Sequence, residues 1–205
     1  MNSSGSFMGD MCPVGAYCLA GSSTPTLCPQ GTFASTKGNQ DISGCLPCSA
    51  GFYCPSLGVS VPLPCYAGSY CPVSTITPQL KCPTGTYCPP SSMRPLACAA
   101  GTYQSHVGNS SCTVCPKTYY CLSNTTTPIA CPPGSYCPQG TVSGVQYLCP
   151  NGTYSSSLNL GSVSGCVSCT PGMYCGSPGL TAPTGPCKVS LAACDLSKDG
   201  RKAFY

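Results

Sequence analysis

No segment of the chain sustains the apolar period of an amphipathic helix. No run of about 20 apolar residues is present to span a membrane. Apolar side chains recur instead in short phrases anchored by cysteine. The Thr-Tyr and Val-x-Cys pieces predict strands of two or three residues, paired as small hairpins. Between them lie polar connectors such as Ser22-Ser23-Thr24-Pro25, Ser60-Val61-Pro62-Leu63-Pro64, Thr75-Ile76-Thr77-Pro78, Ser92-Met93-Arg94-Pro95 and Thr126-Thr127-Pro128. Proline fixes φ and pushes its predecessor toward extended geometry, so these connectors read as stiff spacers.

Two phrases account for almost everything. The short one, Cys-x-x-Gly-x-Tyr-Cys, occupies 12–18, 48–54, 65–71, 82–88, 131–137 and 169–175, with a copy at 115–121 that has Thr118 in place of Gly. The long one, Cys-x-x-Gly-Thr-Tyr/Phe followed by a loop and Cys-x-x-Cys, occupies 28–48, 98–115 and 149–169. A tight reversal at the Gly needs positive φ, which Gly adopts without steric penalty. The aromatic two places on is the only large apolar group nearby, so Tyr rings and cysteine sulfurs together are expected to form the core.

Composition narrows the class. There are 22 Cys in 205 residues, while Leu, Ile, Val and Phe together number only 32, too few for an ordinary core. The expected fold is small and disulfide-rich: an elongated tandem array of cysteine-rich modules with short β-hairpins and little helix. Bridges at this density persist in an oxidising compartment, which places the protein outside the cell or in the secretory lumen. Residues 1–11 lack the apolar run of a signal peptide, so the chain is expected to be a piece of a longer precursor or a mature product. The phrases divide it into a polar leader (1–11), a short repeat and connector (12–27), a first module with an extra short repeat (28–97), a second module (98–148), a third module (149–194) and a charged tail (195–205).

Two disulfide pairings fit the spacing. In an interlocked scheme each long phrase closes its own loop, Cys28 with Cys45, Cys98 with Cys112 and Cys149 with Cys166. Successive short phrases then cross-link: Cys48 with Cys65, Cys54 with Cys71, Cys115 with Cys131, Cys121 with Cys137, Cys169 with Cys187 and Cys175 with Cys194. Cys12–Cys18 and Cys82–Cys88 pair locally. In the rival scheme every short phrase closes on itself. Spacing alone does not choose between them.

The run from Cys28-Pro29-Gln30-Gly31-Thr32-Phe33 to Cys45-Leu46-Pro47-Cys48, with Gly51 and Tyr53 following, resembles the ephrin-receptor-like cysteine-rich repeat. It is also similar to the first half of a tumour necrosis factor receptor module. The copies at 98–121 and 149–175 extend the resemblance over about 12–194. It implies receptor or secreted ectodomain modules. Long arrays of the short phrase resemble surface proteins of protists, including ciliates and algae.

Each chemical motif also has a purely structural role open to it. Cys45-x-x-Cys48, Cys112-x-x-Cys115 and Cys166-x-x-Cys169 have zinc-knuckle or redox spacing, but the single His106 cannot complete three zinc sites and no βαβ pattern surrounds them. Structural disulfides are the expectation, with no metal or cofactor. His106 sits in a polar loop. The only carboxylates are Asp10, Asp41, Asp195 and Asp199, with no Glu, so paired-carboxylate catalysis has no material and no enzymatic role is expected. A net charge of +4 is too dilute for nucleic-acid binding. Four N-glycosylation sequons begin at Asn2, Asn109, Asn124 and Asn151.

The sequence therefore predicts an extracellular structural glycoprotein, a stiff disulfide-stapled rod whose partners are copies of itself in a filament, surface hair or coat. The leader and tail lie outside the disulfide frame and are expected to bridge subunits, with Phe204 and Tyr205 buried at that contact. The alternative is a receptor or adhesion ectodomain binding a protein ligand, which would require an exposed apolar or charged patch.

Overall fold

The structure, a computed structural model, describes residues 11–78 and 80–187. Asn2, Asp10, Cys194, Asp195, Asp199, Phe204 and Tyr205 lie outside the described residues.

One phrase shows the local logic. Gly51 adopts φ of 88° and reverses the chain between Cys48 and Cys54, whose Cα atoms come within 6.1 Å. That separation suits a disulfide. The chain leaves the reversal as the strand Phe52–Tyr53, pairs antiparallel with Leu63–Pro64, and closes when the Cys65 N–H donates to the Gly51 carbonyl at 2.8 Å. The connector between the two strands holds a second left-handed residue, Gly58 at φ 73°.

This unit recurs ten times, led by Cys12, Cys28, Cys48, Cys65, Cys82, Cys98, Cys115, Cys131, Cys149 and Cys169. In every copy the next leading cysteine donates its N–H to the carbonyl three residues beyond the previous one, ending with Cys187 to Gly172. Eight copies form two-stranded antiparallel sheets. The other two keep single bridges, Ser69 with Lys81 and Ser135 with Leu148. Every strand is two residues long, and the helical segments among the described residues are the short 3-10 turns Ile42–Gly44 and Val163–Gly165. None of the described helices is long and apolar enough to cross a membrane.

The interlocked pairing is overturned. Cys48 joins Cys54, Cys65 joins Cys71, Cys115 joins Cys121, Cys131 joins Cys137 and Cys169 joins Cys175. The left-handed turn already brings residues six apart into bonding range, so the local bridge closes first in geometry. Cys12–Cys18 and Cys82–Cys88 are local as expected. The long phrases close as expected too, Cys28–Cys45, Cys98–Cys112 and Cys149–Cys166. In those three the place of the second cysteine is taken by Ala34, Gln104 and Ser155, all buried, and the leading sulfur reaches instead to a cysteine just ahead of the next repeat. Cys187 is also disulfide-bonded, but to neither Cys169 nor Cys175.

The core is made of sulfur rather than sulfur plus aromatic rings. The leading cysteines from Cys28 to Cys149 are at most 1% exposed. Tyr53 is the one buried aromatic among the described residues, at 5% exposure. The other phrase aromatics are half-buried, or exposed in the case of Tyr174. A repeat this thin has room inside for its bridge but not for a ring, so the rings flank the hairpins.

Contacts group the chain into two units. The first comprises Met1–Pro83, Tyr87–Leu96 and Val107–Ser111; the second comprises Thr84–Thr86, Ala97–His106 and Cys112–Tyr205. Within the first, consecutive repeats are stitched by three backbone bonds. Between the third and fourth repeats, the Gly51 N–H donates to the Cys71 carbonyl (2.8 Å), the Cys54 N–H to the Thr75 carbonyl (2.9 Å), and the Ser74 N–H returns to the Cys48 carbonyl (2.8 Å). The same trio recurs at the junctions led by Cys12, Cys28 and Cys65. Within the second unit it recurs again at the junctions led by Cys98, Cys115, Cys131 and Cys149. The connectors expected to be spacers therefore take part in two of the three bonds of each junction. Their left-handed residue donates one bond, and the carbonyl just after it accepts another.

Candidate assembly surfaces

The residue before each leading cysteine lies beside the left-handed residue of the following repeat, because that residue donates its N–H to the same cysteine's carbonyl. Where the preceding residue is long, the left-handed residue is glycine. Met11 faces Gly38, Leu27 faces Gly58, Lys81 faces Gly108, Val114 faces Gly140 and Leu148 faces Gly179. A Cβ on Gly58 would stand 2.9 Å from Leu27 Cδ2, and one on Gly179 3.1 Å from Leu148 Cδ2. On Gly108 and Gly140 a Cβ would make ordinary contact, at 3.5 and 3.7 Å from the Lys81 and Val114 side chains. Where the preceding residue is compact, the left-handed residue carries a side chain. Pro47, Pro64, Ala97 and Ala130 precede the cysteines whose carbonyls accept from Ser74, Ser91, Asn124 and Asn159, at φ of 61–62°. All nine junctions obey this long-with-Gly, compact-with-side-chain rule.

The two ends of the described array differ from its interior. In the first repeat, Gly21 has the same left-handed geometry (φ 78°) and nothing within 4 Å of its would-be Cβ. Among the described residues, neither its N–H nor the Cys18 and Ser22 carbonyls enter a junction. In the tenth repeat, the Gly172 and Cys175 N–H groups and the Cys169 carbonyl likewise find no junction partner among the described residues. Cys18 and Cys169 are half-buried, whereas Cys54, Cys71, Cys88, Cys121 and Cys137 are fully sealed.

The hairpins also carry exposed apolar side chains. Most strands that lead into a leading cysteine offer an exposed aliphatic, including Leu46, Leu63, Leu96, Ile129 and Val167. Several oppose the phrase aromatic across the hairpin: Leu46 with Phe33, Leu63 with Tyr53, Ile129 with Tyr120 and Val167 with Tyr154. Two tyrosine pairs add to them. Tyr53 and Tyr66 lie 5.6 Å apart with their hydroxyls bonded at 2.6 Å. Tyr136 and Tyr147 stack at 5.6 Å. The Tyr66 hydroxyl, with burial, pushes the Tyr53 phenol above its ordinary range.

The sequence-derived sites fall as follows. Asn124 and Asn151 are exposed and Asn109 is half-buried. The Asn109 carbonyl accepts the Cys88 N–H, and the Asn124 N–H donates to Cys98, so two sequons sit on the junction backbone. His106 is exposed, its ring nitrogen 2.9 Å from the Ser105 hydroxyl. Asp41 caps the Ile42–Gly44 turn, accepting from the Ser43 N–H at 2.8 Å. The Ser43 hydroxyl and N–H hold its carboxyl below the usual carboxylate range. The Cys-x-x-Cys pairs are not bonded to each other: Cys45 and Cys48, for example, belong to separate bridges. Sequence reading passed over the left-handed connector residue. Its signal was a Gly, Ser or Asn nine or ten places after each leading cysteine. No protein-family model matches this chain, and none of the curated proteins compared with it is similar.

Proposed function

We propose that this is an extracellular, non-catalytic structural glycoprotein, a stiff disulfide-stapled rod that self-assembles into a filament, surface hair or coat. The observation that carries this reading is the junction itself. One trio of backbone bonds adds each repeat to the last, and nothing in the unit limits how many can be added. A disulfide core with so few aliphatic residues is consistent with an oxidising, extracellular setting. The resemblance to ephrin-receptor-like repeats and protist surface proteins points the same way. Glycans on Asn109, Asn124 and Asn151 would shield the outside of such an assembly. Electron microscopy of the purified protein tests the reading: end-joined filaments or ordered sheets are expected, and particles that stay single at every concentration would refute it.

A receptor or adhesion role is the second reading. The exposed aliphatic in successive hairpins favours it, since such surfaces mark docking sites when they gather into a patch. Replacing Leu46, Leu63 and Leu96 together by Ser separates the two: a ligand-binding protein loses capture of its target cells or matrix, while a filament keeps its length.

A further inference from the structure

We propose that Tyr53 and Tyr66 are a covalent modification site, a pair poised for oxidative coupling to a dityrosine that ties the third repeat to the fourth. Each of the ten bridges between described cysteines closes inside one repeat. Across the junctions the ties among the described residues are backbone hydrogen bonds and packing. Tyr53 lies in the hairpin of the third repeat, and Tyr66 follows Cys65, which opens the fourth. A bond between their rings is therefore a cross-link of a kind these ten disulfides do not provide, and one that reducing agents do not break.

The geometry prepares the coupling. The Tyr53 hydroxyl donates to the Tyr66 hydroxyl at 2.6 Å, while the ring centroids stand 5.6 Å apart with the planes tilted by 54°. The rings thus converge at their hydroxyl ends, where the carbons ortho to oxygen lie. In a dityrosine the new bond joins two such ortho carbons, and the hydroxyls flank it. The pair already holds its oxygens side by side, and a swing of one ring completes the approach. The exposures assign the roles. Tyr66 is 62% exposed and meets an oxidant in solution, whereas Tyr53, at 5%, is reached through Tyr66. Tyr53 shares a buried cluster with Cys65 and Cys71, which holds the inner ring while the outer one moves.

The oxidant is hydrogen peroxide turned over by a haem peroxidase, which removes single electrons from accessible phenols. Tyr66 first loses an electron and its phenolic proton, leaving a phenoxyl radical. The Tyr53 hydroxyl passes its hydrogen atom along the existing hydrogen bond to the Tyr66 oxygen, which restores Tyr66 and moves the radical to Tyr53. A second oxidation of Tyr66 sets two radicals side by side. Their ortho carbons join, and each loses its ring hydrogen as the phenolic oxygen of that ring regains one. In sum two phenols give up two electrons and two protons, and one peroxide is reduced to two waters.

The test treats the full folded chain, kept dilute, with hydrogen peroxide and a haem peroxidase. The product is then fully reduced and digested with an elastase-type protease that cuts after Val59 and Val61. The expected result is dityrosine fluorescence and a peptide carrying Tyr53 joined to one carrying Tyr66, with the summed mass less two hydrogens. Tyr66→Phe changes an exposed ring, and circular dichroism checks that it folds; it should lower the yield of products joined through Tyr53 by about tenfold or more, because the positioned partner is gone. A chain reduced and unfolded before oxidation should give the Tyr53–Tyr66 product in similarly diminished yield. A folded chain that yields no joined Tyr53–Tyr66 peptide, or that couples only between chains or through other tyrosines, overturns the site. An equal yield from the unfolded chain overturns the claim that the fold sets the pair.

Discussion

Thr118 holds a φ of 76° at the position where the other nine repeats have glycine. A β-branched residue in the left-handed region is strained by about 1–2 kcal/mol, yet its N–H still bonds to Cys137 at 2.8 Å and its carbonyl still accepts from Cys131 at 3.0 Å. Thr118→Gly should therefore stabilise the fold by about 0.5–1 kcal/mol, the relieved strain less the added freedom of the unfolded chain. Denaturant unfolding measures it; a variant less stable than the parent would show the Thr to be held without strain. The reverse change is harsher. A Cβ at Gly51 would stand 2.5 Å from the Ser91 carbonyl oxygen, so Gly51→Ala should cost about 2 kcal/mol or more. Asp41 gives the pH dependence of a single residue. Its carboxyl titrates below its usual 3.8 because ionised Asp41 is bonded by Ser43. The linked stability is present above that value and lost as pH falls through the lowered folded value. An NMR titration of Ser43→Ala, which removes the hydroxyl and keeps the N–H, should return Asp41 part of the way toward the ordinary range; an unchanged midpoint would remove the Ser43 hydroxyl as a cause.

At the scale of the repeat, the junction rule makes a paired prediction. Ala130→Leu places a long side chain against Asn159 and should cost about 1–3 kcal/mol, the usual penalty of overpacking. Adding Asn159→Gly should recover part of that loss, giving a coupling that a double-mutant cycle reads directly. Additive effects would mean the two residues do not meet. This scale is also where sequence and structure part company. The hairpins and the absence of long helix were legible, because Thr-Tyr pieces between cysteines leave room for little else. The reversal at Gly51 was legible from residue type alone. The pairing of Cys48 was not: Cys54 and Cys65 are both the right kind of residue, and only the turn's geometry selects the nearer. The junction donors were hidden for another reason. Ser74, Ser91, Asn124 and Asn159 look like ordinary connector residues until their positive φ values and their bonds to the preceding repeat are seen.

Across the whole molecule, order depends on the bridges. The largest fully buried side chains are Thr141 and a series of cysteines, so almost no aliphatic core would survive their loss. Each bridge contributes roughly 2–4 kcal/mol by restricting the unfolded chain, and a chain of this composition has little else to offset its conformational entropy. Full reduction under native conditions should abolish protease resistance; a reduced chain that keeps it would show that backbone junctions alone suffice. Partial reduction should begin at the bridges that contain a half-buried cysteine, Cys12–Cys18, Cys28–Cys45, Cys98–Cys112, Cys149–Cys166 and Cys169–Cys175, before reaching the sealed short bridges between them.

The match between each leading residue and the next left-handed residue also governs how such a chain can lengthen or shorten over generations. Removing residues 65–81 whole would leave Pro64 ahead of Cys82, facing Gly108, and Pro47 ahead of Cys48, facing Ser91. Both combinations already occur or clear sterically. Removing 115–130 would leave Val114 ahead of Cys131, facing Asn159, a longer-with-side-chain combination that none of the nine junctions contains. Repeats are thus not freely interchangeable beads: each carries a lock on one side and a key on the other. Duplications and deletions whose cut ends still fit would cost the least, so the order of locks and keys along the chain favours some lengths over others.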